Sequence, residues 1–270
     1  MSLNITLIGT GNIGSAMVKG WCKKIEAGEA QVNGSELNIT LAERDSAKLE
    51  ALKADFPMLN GYTNNVEATK NADLIIIAVK PWQVESIIKE IKSNFTEKTI
   101  LVNVAAGITS QRLQEMLEGT SLTQAFLVIP NIAAEFGASM TFISPLQTSR
   151  KDSIDTVEAL FKLDGGAIVC EEKLLVPGML MASCGIAYIM RILRAQSQAG
   201  VEMGFYPKDA LDIALQTMQG AVSLLRGTGE HPEVAIDRVT TPGGYTIKGL
   251  NELDHAGVAS GIIKAFKTGL

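Results

Sequence analysis

Residues 3–8, Leu-Asn-Ile-Thr-Leu-Ile, alternate apolar with polar positions and are rich in β-formers, which predicts a strand. Ile13, Ala16, Met17, Gly20 and Trp21 then recur at helical spacing. A second strand fits residues 38–42, and a helix follows from about Ser46 to Ala54. The unbroken apolar run 72–79 suits a strand covered on both faces. Pro81 opens a helix whose stripe is Val84, Ile87, Ile88 and Ile91. Residues 99–104 and 124–129 read as further strands, the second closed by Pro130. Residues 140–144 and 167–170 are candidate edge strands around a helix from Lys151 to Phe161. Such alternation predicts a parallel sheet with helices on both faces. After Glu171 no strand pattern remains, only helices punctuated by Gly and Pro. The expected class is therefore α/β: a doubly wound domain over residues 1–168, then an all-α domain over 169–270, divided near Asp164-Gly165-Gly166.

Between the first strand and first helix lies Gly9-Thr10-Gly11-Asn12-Ile13-Gly14. In that context the G-x-G-x-x-G pattern points to a dinucleotide, because Gly9 permits the tight turn, Gly11 close approach of a pyrophosphate, and Gly14 close helix–strand packing. The helix start offers unpaired N–H groups to phosphate. The second strand ends at Glu43-Arg44. A carboxylate there can accept from both ribose hydroxyls, favouring NADH, while Arg44 can pair with a 2′-phosphate, favouring NADPH. Repulsion between Glu43 and such a phosphate tilts the balance toward NADH or dual use. Residues 26–38 read as an inserted polar loop that lengthens the gap to Glu43. Ala78-Val79-Lys80-Pro81 and Asn103-Val104-Ala105-Ala106-Gly107 end later strands, the edge at which doubly wound sheets bind ligands.

A formal net charge of −5 without a basic cluster excludes a phosphate-tracking nucleic-acid surface. Three scattered cysteines have neither disulfide nor metal spacing, and no metal is expected. No basic, apolar leader pattern is visible at the N-terminus, so the chain reads as cytoplasmic. Residues 174–190 carry no charge but are short and interrupted by Pro177, Gly178 and Gly185, which suits an interface helix better than a membrane span.

Residues 239–248, Val-Thr-Thr-Pro-Gly-Gly-Tyr-Thr-Ile-Lys, place a Gly-Gly turn before a helix. Backbone N–H groups exposed there suit a small carboxylate, and Thr hydroxyls can orient a ring nitrogen. Together, G-T-G-N-I-G at 9–14, A-V-K-P at 78–81, V-A-A-G at 104–107, P-N at 130–131, G-I-A-Y at 185–188 and V-T-T-P-G-G-Y-T at 239–246 resemble the pyrroline-5-carboxylate reductase family from end to end. The resemblance implies a Rossmann domain and a helical dimerisation domain whose helices interleave between two chains. It implies hydride transfer from NADH or NADPH to the ring C=N of 1-pyrroline-5-carboxylate, the last step of proline synthesis. It further implies that Thr246 hydrogen-bonds the ring nitrogen, that Thr241, Gly243 and Gly244 hold the carboxylate, and that Lys80, Asn103 and Ala105 lie near the nicotinamide and ribose. Three positions depart from the family: Ile186 replaces a proline, Ile132 a Thr, and Glu43 an Asn or Ser. A related dehydrogenase of small keto or hydroxy acids would need a lysine on the long helix, and residues 174–190 have none. A non-catalytic nucleotide-binding scaffold would not need the intact Thr246 turn.

Overall fold

The computed structural model describes residues 2–270. Backbone contacts divide the described chain into two compact units, residues 2–183 and 184–270.

The first unit runs β1 (Ser2–Ile8), α1 (Asn12–Glu26), β2 (Gln31–Val32), β3 (Ser35–Ala42), α2 (Ser46–Asp55), β4 (Asn60–Tyr62), α3 (Asn65–Thr69), β5 (Leu74–Ile77) and α4 (Pro81–Ile91). It continues with β6 (Ile100–Asn103), α5 (Ser110–Leu117), β7 (Gln124–Ile129), β8 (Ser139–Pro145), α6 (Lys151–Lys162), β9 (Gly165–Val169) and α7 (Leu175–Gly178). Parallel pairing gives the path β4-β3-β1-β5-β6-β7. That is a doubly wound order, which reverses between β1 and β5. All four residues of β5 are buried. Leu74 and Ile76 join a core cluster with Met17, Trp21 and Phe161, whereas Ile75 and Ile77 join one with Val84, Ile88 and Leu113. Helices thus cover both faces, which accounts for the unbroken apolar run in the sequence.

Two pairs depart from the expected parallel sheet. β7 and β8 are antiparallel, because the short link 130–138 has no room for a crossover helix. The supposed polar loop 26–38 contains a hairpin: β2 pairs antiparallel with the start of β3 across Asn33 and Gly34, whose φ angles are 50° and 78°. Positive φ at both turn positions marks a tight hairpin turn.

The first unit also extends beyond the expected boundary near residues 165–172. Asp164 is buried, β9 pairs with β8, and Leu175 enters the apolar cluster that contains Leu146. Gly178 packs on Phe142, where an added Cβ would lie 2.6 Å from the ring.

The second unit is helical: α8 (Gly185–Glu202), α9 (Pro207–Thr228), α10 (Pro232–Arg238), α11 (Tyr245–His255) and α12 (Val258–Lys267). A π-helical stretch, Met179–Cys184, leads into α8. Gly200 lets α8 approach α9, since a Cβ there would lie 2.9 Å from that of Ala210. Many large apolar side chains of this unit stay exposed in the single chain, among them Met190, Phe205, Ile213, Val222, Leu253 and Ile263.

Candidate active site

At the reversal point β1 ends and the chain turns through Gly9, with φ +96°. A Cβ there would lie 2.7 Å from Val79 Cγ1 and 2.8 Å from the Ala78 carbonyl oxygen. Gly14 sits under the same turn, where a Cβ would lie 2.1 Å from the Gly9 oxygen. Gly11 faces open space. No side chain caps α1, and no acidic residue stands in its first turn. Its first amides therefore keep their hydrogen-bonding capacity and partial positive charge for an anion. These features fit a dinucleotide pyrophosphate.

The turn opens into a cleft of about 720 Å³, lined on one side by Gly9, Gly11, Asn12 and Ile13. Glu43 and Arg44 enter from the end of β3, Ala78, Val79, Lys80 and Pro81 from the end of β5, and Ala105 from beyond β6. Lys80 and Arg44 are exposed cations. Lys80 also precedes α4, and its N–H donates to Gln83 Oε1 at 3.3 Å. Ile132, half exposed, lines the cleft as well.

Glu43 is committed to the protein more fully than its position at a strand end implied. Its Oε2 accepts from the Thr10 N–H at 3.0 Å and the Thr10 hydroxyl at 2.7 Å, and its Oε1 from the Asp45 N–H at 3.0 Å. Burial alone would raise its pKa, but the bonds from Thr10 and Asp45, with the charge of Lys48, hold it below the usual carboxylate range. Glu43 is thus an anion that braces the glycine turn. A carboxylate has about four acceptor sites and three are used, so roughly one remains for a ribose hydroxyl.

Asn103 differs from its expected placement in the lining. It is buried, its Nδ2 donates to the Ala105 oxygen at 2.9 Å, and its Oδ1 has no partner. It shapes the Ala105 segment from below. Asn131 is likewise structural: its Oδ1 accepts from the Ala133 N–H at 3.0 Å and its Nδ2 donates to the Ala182 oxygen at 3.4 Å. Asn65, which the sequence patterns did not single out, does line the cleft, as do Thr10 and Gln83. The missed signal is Asn64 with Glu67 three positions on, a helix start in which Asn64 Oδ1 accepts from the Glu67 N–H at 3.0 Å.

In the second unit, Thr241, Gly243 and Gly244 form a tight turn before α11. Gly243 has φ +70°, and the Gly244 N–H donates to the Thr241 oxygen at 3.0 Å. A Cβ on Gly244 would lie 2.5 Å from Thr241 Oγ1 and 3.1 Å from the Thr241 oxygen, so a larger residue there would require the Thr241 side chain to turn away. No side chain caps α11, and Thr246, its second residue, is exposed.

A doubly wound sheet with a glycine turn at its reversal point and a separate helical unit define a nicotinamide-dinucleotide oxidoreductase. Residues 4–107 match the family model described as NADP oxidoreductase, coenzyme F420-dependent, and residues 172–270 match that of pyrroline-5-carboxylate reductase dimerisation. Pyrroline-5-carboxylate reductase 2 of Dictyostelium discoideum is 33% identical over 273 residues, covering 97% of this chain and 89% of that protein. Reductase 1 of the same organism is 33% identical over 279 residues, and there the chain spans 48% of the relative's length. A solved pyrroline-5-carboxylate reductase from Coxiella burnetii aligns with a TM-score of 0.87 at 25% identity, covering 100% of this chain and 96% of that one. The chain belongs to the pyrroline-5-carboxylate reductase family.

Proposed function

We propose that this chain reduces the ring C=N bond of 1-pyrroline-5-carboxylate to give L-proline, using NADH or NADPH. The observation that carries this reading is the Thr241–Thr246 turn, whose uncapped helix start suits a small carboxylate, in a member of this family. Thr241, Gly243 and Gly244 bind the carboxylate, and the Thr246 hydroxyl holds the ring nitrogen. Gly9, Gly11, Asn12 and Ile13 receive the dinucleotide phosphates, with Gly14 packed behind them. Glu43 and Arg44 line the adenosine side, and Ala78, Val79, Lys80, Pro81 and Ala105 line the way to the nicotinamide and its ribose, while Asn103 supports Ala105 from beneath.

When bound, the reduced nicotinamide supplies a hydride to the imine carbon. The ring nitrogen must also gain a proton. A Thr hydroxyl is too weakly acidic to provide it, so Thr246 orients the nitrogen while water or already protonated substrate delivers the proton. Thr246→Ala is expected to lower kcat/KM roughly 30-fold, about 2 kcal/mol, with an unchanged melting temperature. Full activity in that variant would remove the role assigned to its hydroxyl.

Glu43 also bears on the choice of cofactor. Glu43→Ser should move the NADH-to-NADPH ratio of kcat/KM toward NADPH by roughly tenfold, since it removes a hydroxyl acceptor and an anion that repels phosphate. An equal ratio in the two proteins would rule out this reading of the ribose site.

A homodimer with interleaved C-terminal helices would cover the apolar side chains left exposed on the second unit. Residues 172–202 are long and apolar enough to cross a membrane by length and composition alone. Their place in the dimerisation region favours subunit contact instead. A cytoplasmic enzyme without membrane or nucleic-acid partners follows from the same reading.

A further inference from the structure

The cofactor reading leaves the ribose end of the cleft short of one acceptor. The adenosine ribose of NADH carries two hydroxyls, and Glu43 has about one acceptor site left after Thr10 and Asp45 are served. Asn65 lines the same cleft. Its Nδ2 donates to Glu90 Oε2 at 2.9 Å. A carboxylate has no proton to give, so this bond settles which end of the amide faces Glu90. Oδ1 is turned the other way, and no donor among the described residues reaches it. Asn65 itself is almost wholly buried, so its side chain has little freedom beyond this choice of amide orientation.

Resting on the proposal that the cleft holds the dinucleotide, we infer that Glu90 is a positioning residue for cofactor choice: it locks the Asn65 amide with Oδ1 toward the cleft, as the second ribose-hydroxyl acceptor beside Glu43. Two acceptors suit a diol and oppose a 2′-phosphate, which has oxygens but no hydroxyl proton to offer at that position. The exposed Arg44 is the opposing feature, and it leaves NADPH usable. A Gln at position 90 keeps the size of the side chain but carries both a donor and an acceptor, so the Asn65 amide can then turn over and present Nδ2.

The test measures KM and kcat for NADH and for NADPH in wild type, Glu90→Gln, Asn65→Ala and the double variant, with melting temperatures alongside. Glu90→Gln should raise KM for NADH roughly three- to tenfold, leave kcat within twofold, and lower or leave unchanged KM for NADPH. The double variant should be no worse than Asn65→Ala, because Glu90 acts through Asn65. Additive effects, or an equal rise in KM for both cofactors with a lower melting temperature, would overturn the inference, as would a silent Glu90→Gln. A Gly11→Val control separates this from the underlying reading. If it leaves both KM values unchanged, the cleft is not the dinucleotide site and the inference falls with it. If Gly11→Val weakens both cofactors while Glu90→Gln does nothing, only the role of Glu90 is lost.

Discussion

Gly14→Ala is expected to weaken NADH and NADPH binding together by more than about a hundredfold and to lower the melting temperature as well. The added Cβ would sit 2.1 Å from the Gly9 oxygen and 3.2 Å from Leu7 Cδ2. A backbone oxygen at the centre of a tight turn cannot give way as a side chain can. Either α1 is pushed off β1, or the turn at Gly9 opens, and both displace the amides that would receive the phosphates. Overpacking of this kind costs about 1–3 kcal/mol and more when backbone is struck. Gly11→Ala supplies the contrast. Apart from its neighbours along the chain, no atom among the described residues lies within 4 Å of a Cβ at Gly11, so that variant should melt like wild type and lose affinity only because the methyl group enters the phosphate space. Melting curves and fluorescence titrations with both cofactors decide the matter. If Gly14→Ala binds NADH normally, the glycine turn is not the phosphate site.

The glycine turn was readable because its three roles are set by local backbone geometry, and strand–Gly-x-Gly–helix order leaves little else that the residues could do. The same holds for β5, where a run without a polar position has to be covered twice. Short elements inside a stretch of contrary composition are less legible. Asn33-Gly34 is a hairpin signature set within a stretch whose composition reads as a polar loop. The eight-residue α5 carries only a faint pattern, a Thr109 cap that accepts from the Arg112 N–H and two apolar positions, Leu113 and Leu117, buried at helical spacing. Asn103 had the right neighbourhood but not the expected exposure, because strand-end position does not say whether a side chain points into the cleft or under it. The engagement of Glu43 by Thr10 joins residues 33 positions apart, which no local pattern encodes. Asp164-Gly165-Gly166 lies inside the first unit, ahead of the division by backbone contacts. An acid beside two glycines suggests a linker, whereas here the acid is inside and the glycines let β9 run close to β8.

That buried acid carries the second large expectation: the folded chain should lose stability as pH rises from about 4 to about 9, and Asp164→Asn should abolish the loss. Asp164 has 0% of its surface exposed, and neither carboxyl oxygen has a hydrogen-bond partner among the described residues. It is pressed against α1 at Gly20, where a Cβ would lie 2.4 Å from Oδ1. Burial pushes its pKa from 3.8 to about 9, against a smaller opposing pull from Lys24. Below the lower value both folded and unfolded chains hold the proton, and full stability is present. Above it the unfolded chain releases the proton while the folded chain keeps it, so each further pH unit favours unfolding until the folded carboxyl ionises near the upper value. At about 1.4 kcal/mol per unit the ceiling is about 7 kcal/mol, which relaxation around the site brings to about 3. The neighbouring Cys22 thiol, pushed up to about 12 chiefly by burial, does not titrate in this window. Asparagine keeps the volume and stays neutral at every pH. Urea unfolding at a fixed protomer concentration should show Asp164→Asn within about 1 kcal/mol of wild type at pH 5 and about 3 kcal/mol more stable at pH 8.5. Parallel stability curves for the two proteins across that range would mean that Asp164 reaches water or a partner and is charged in the folded chain.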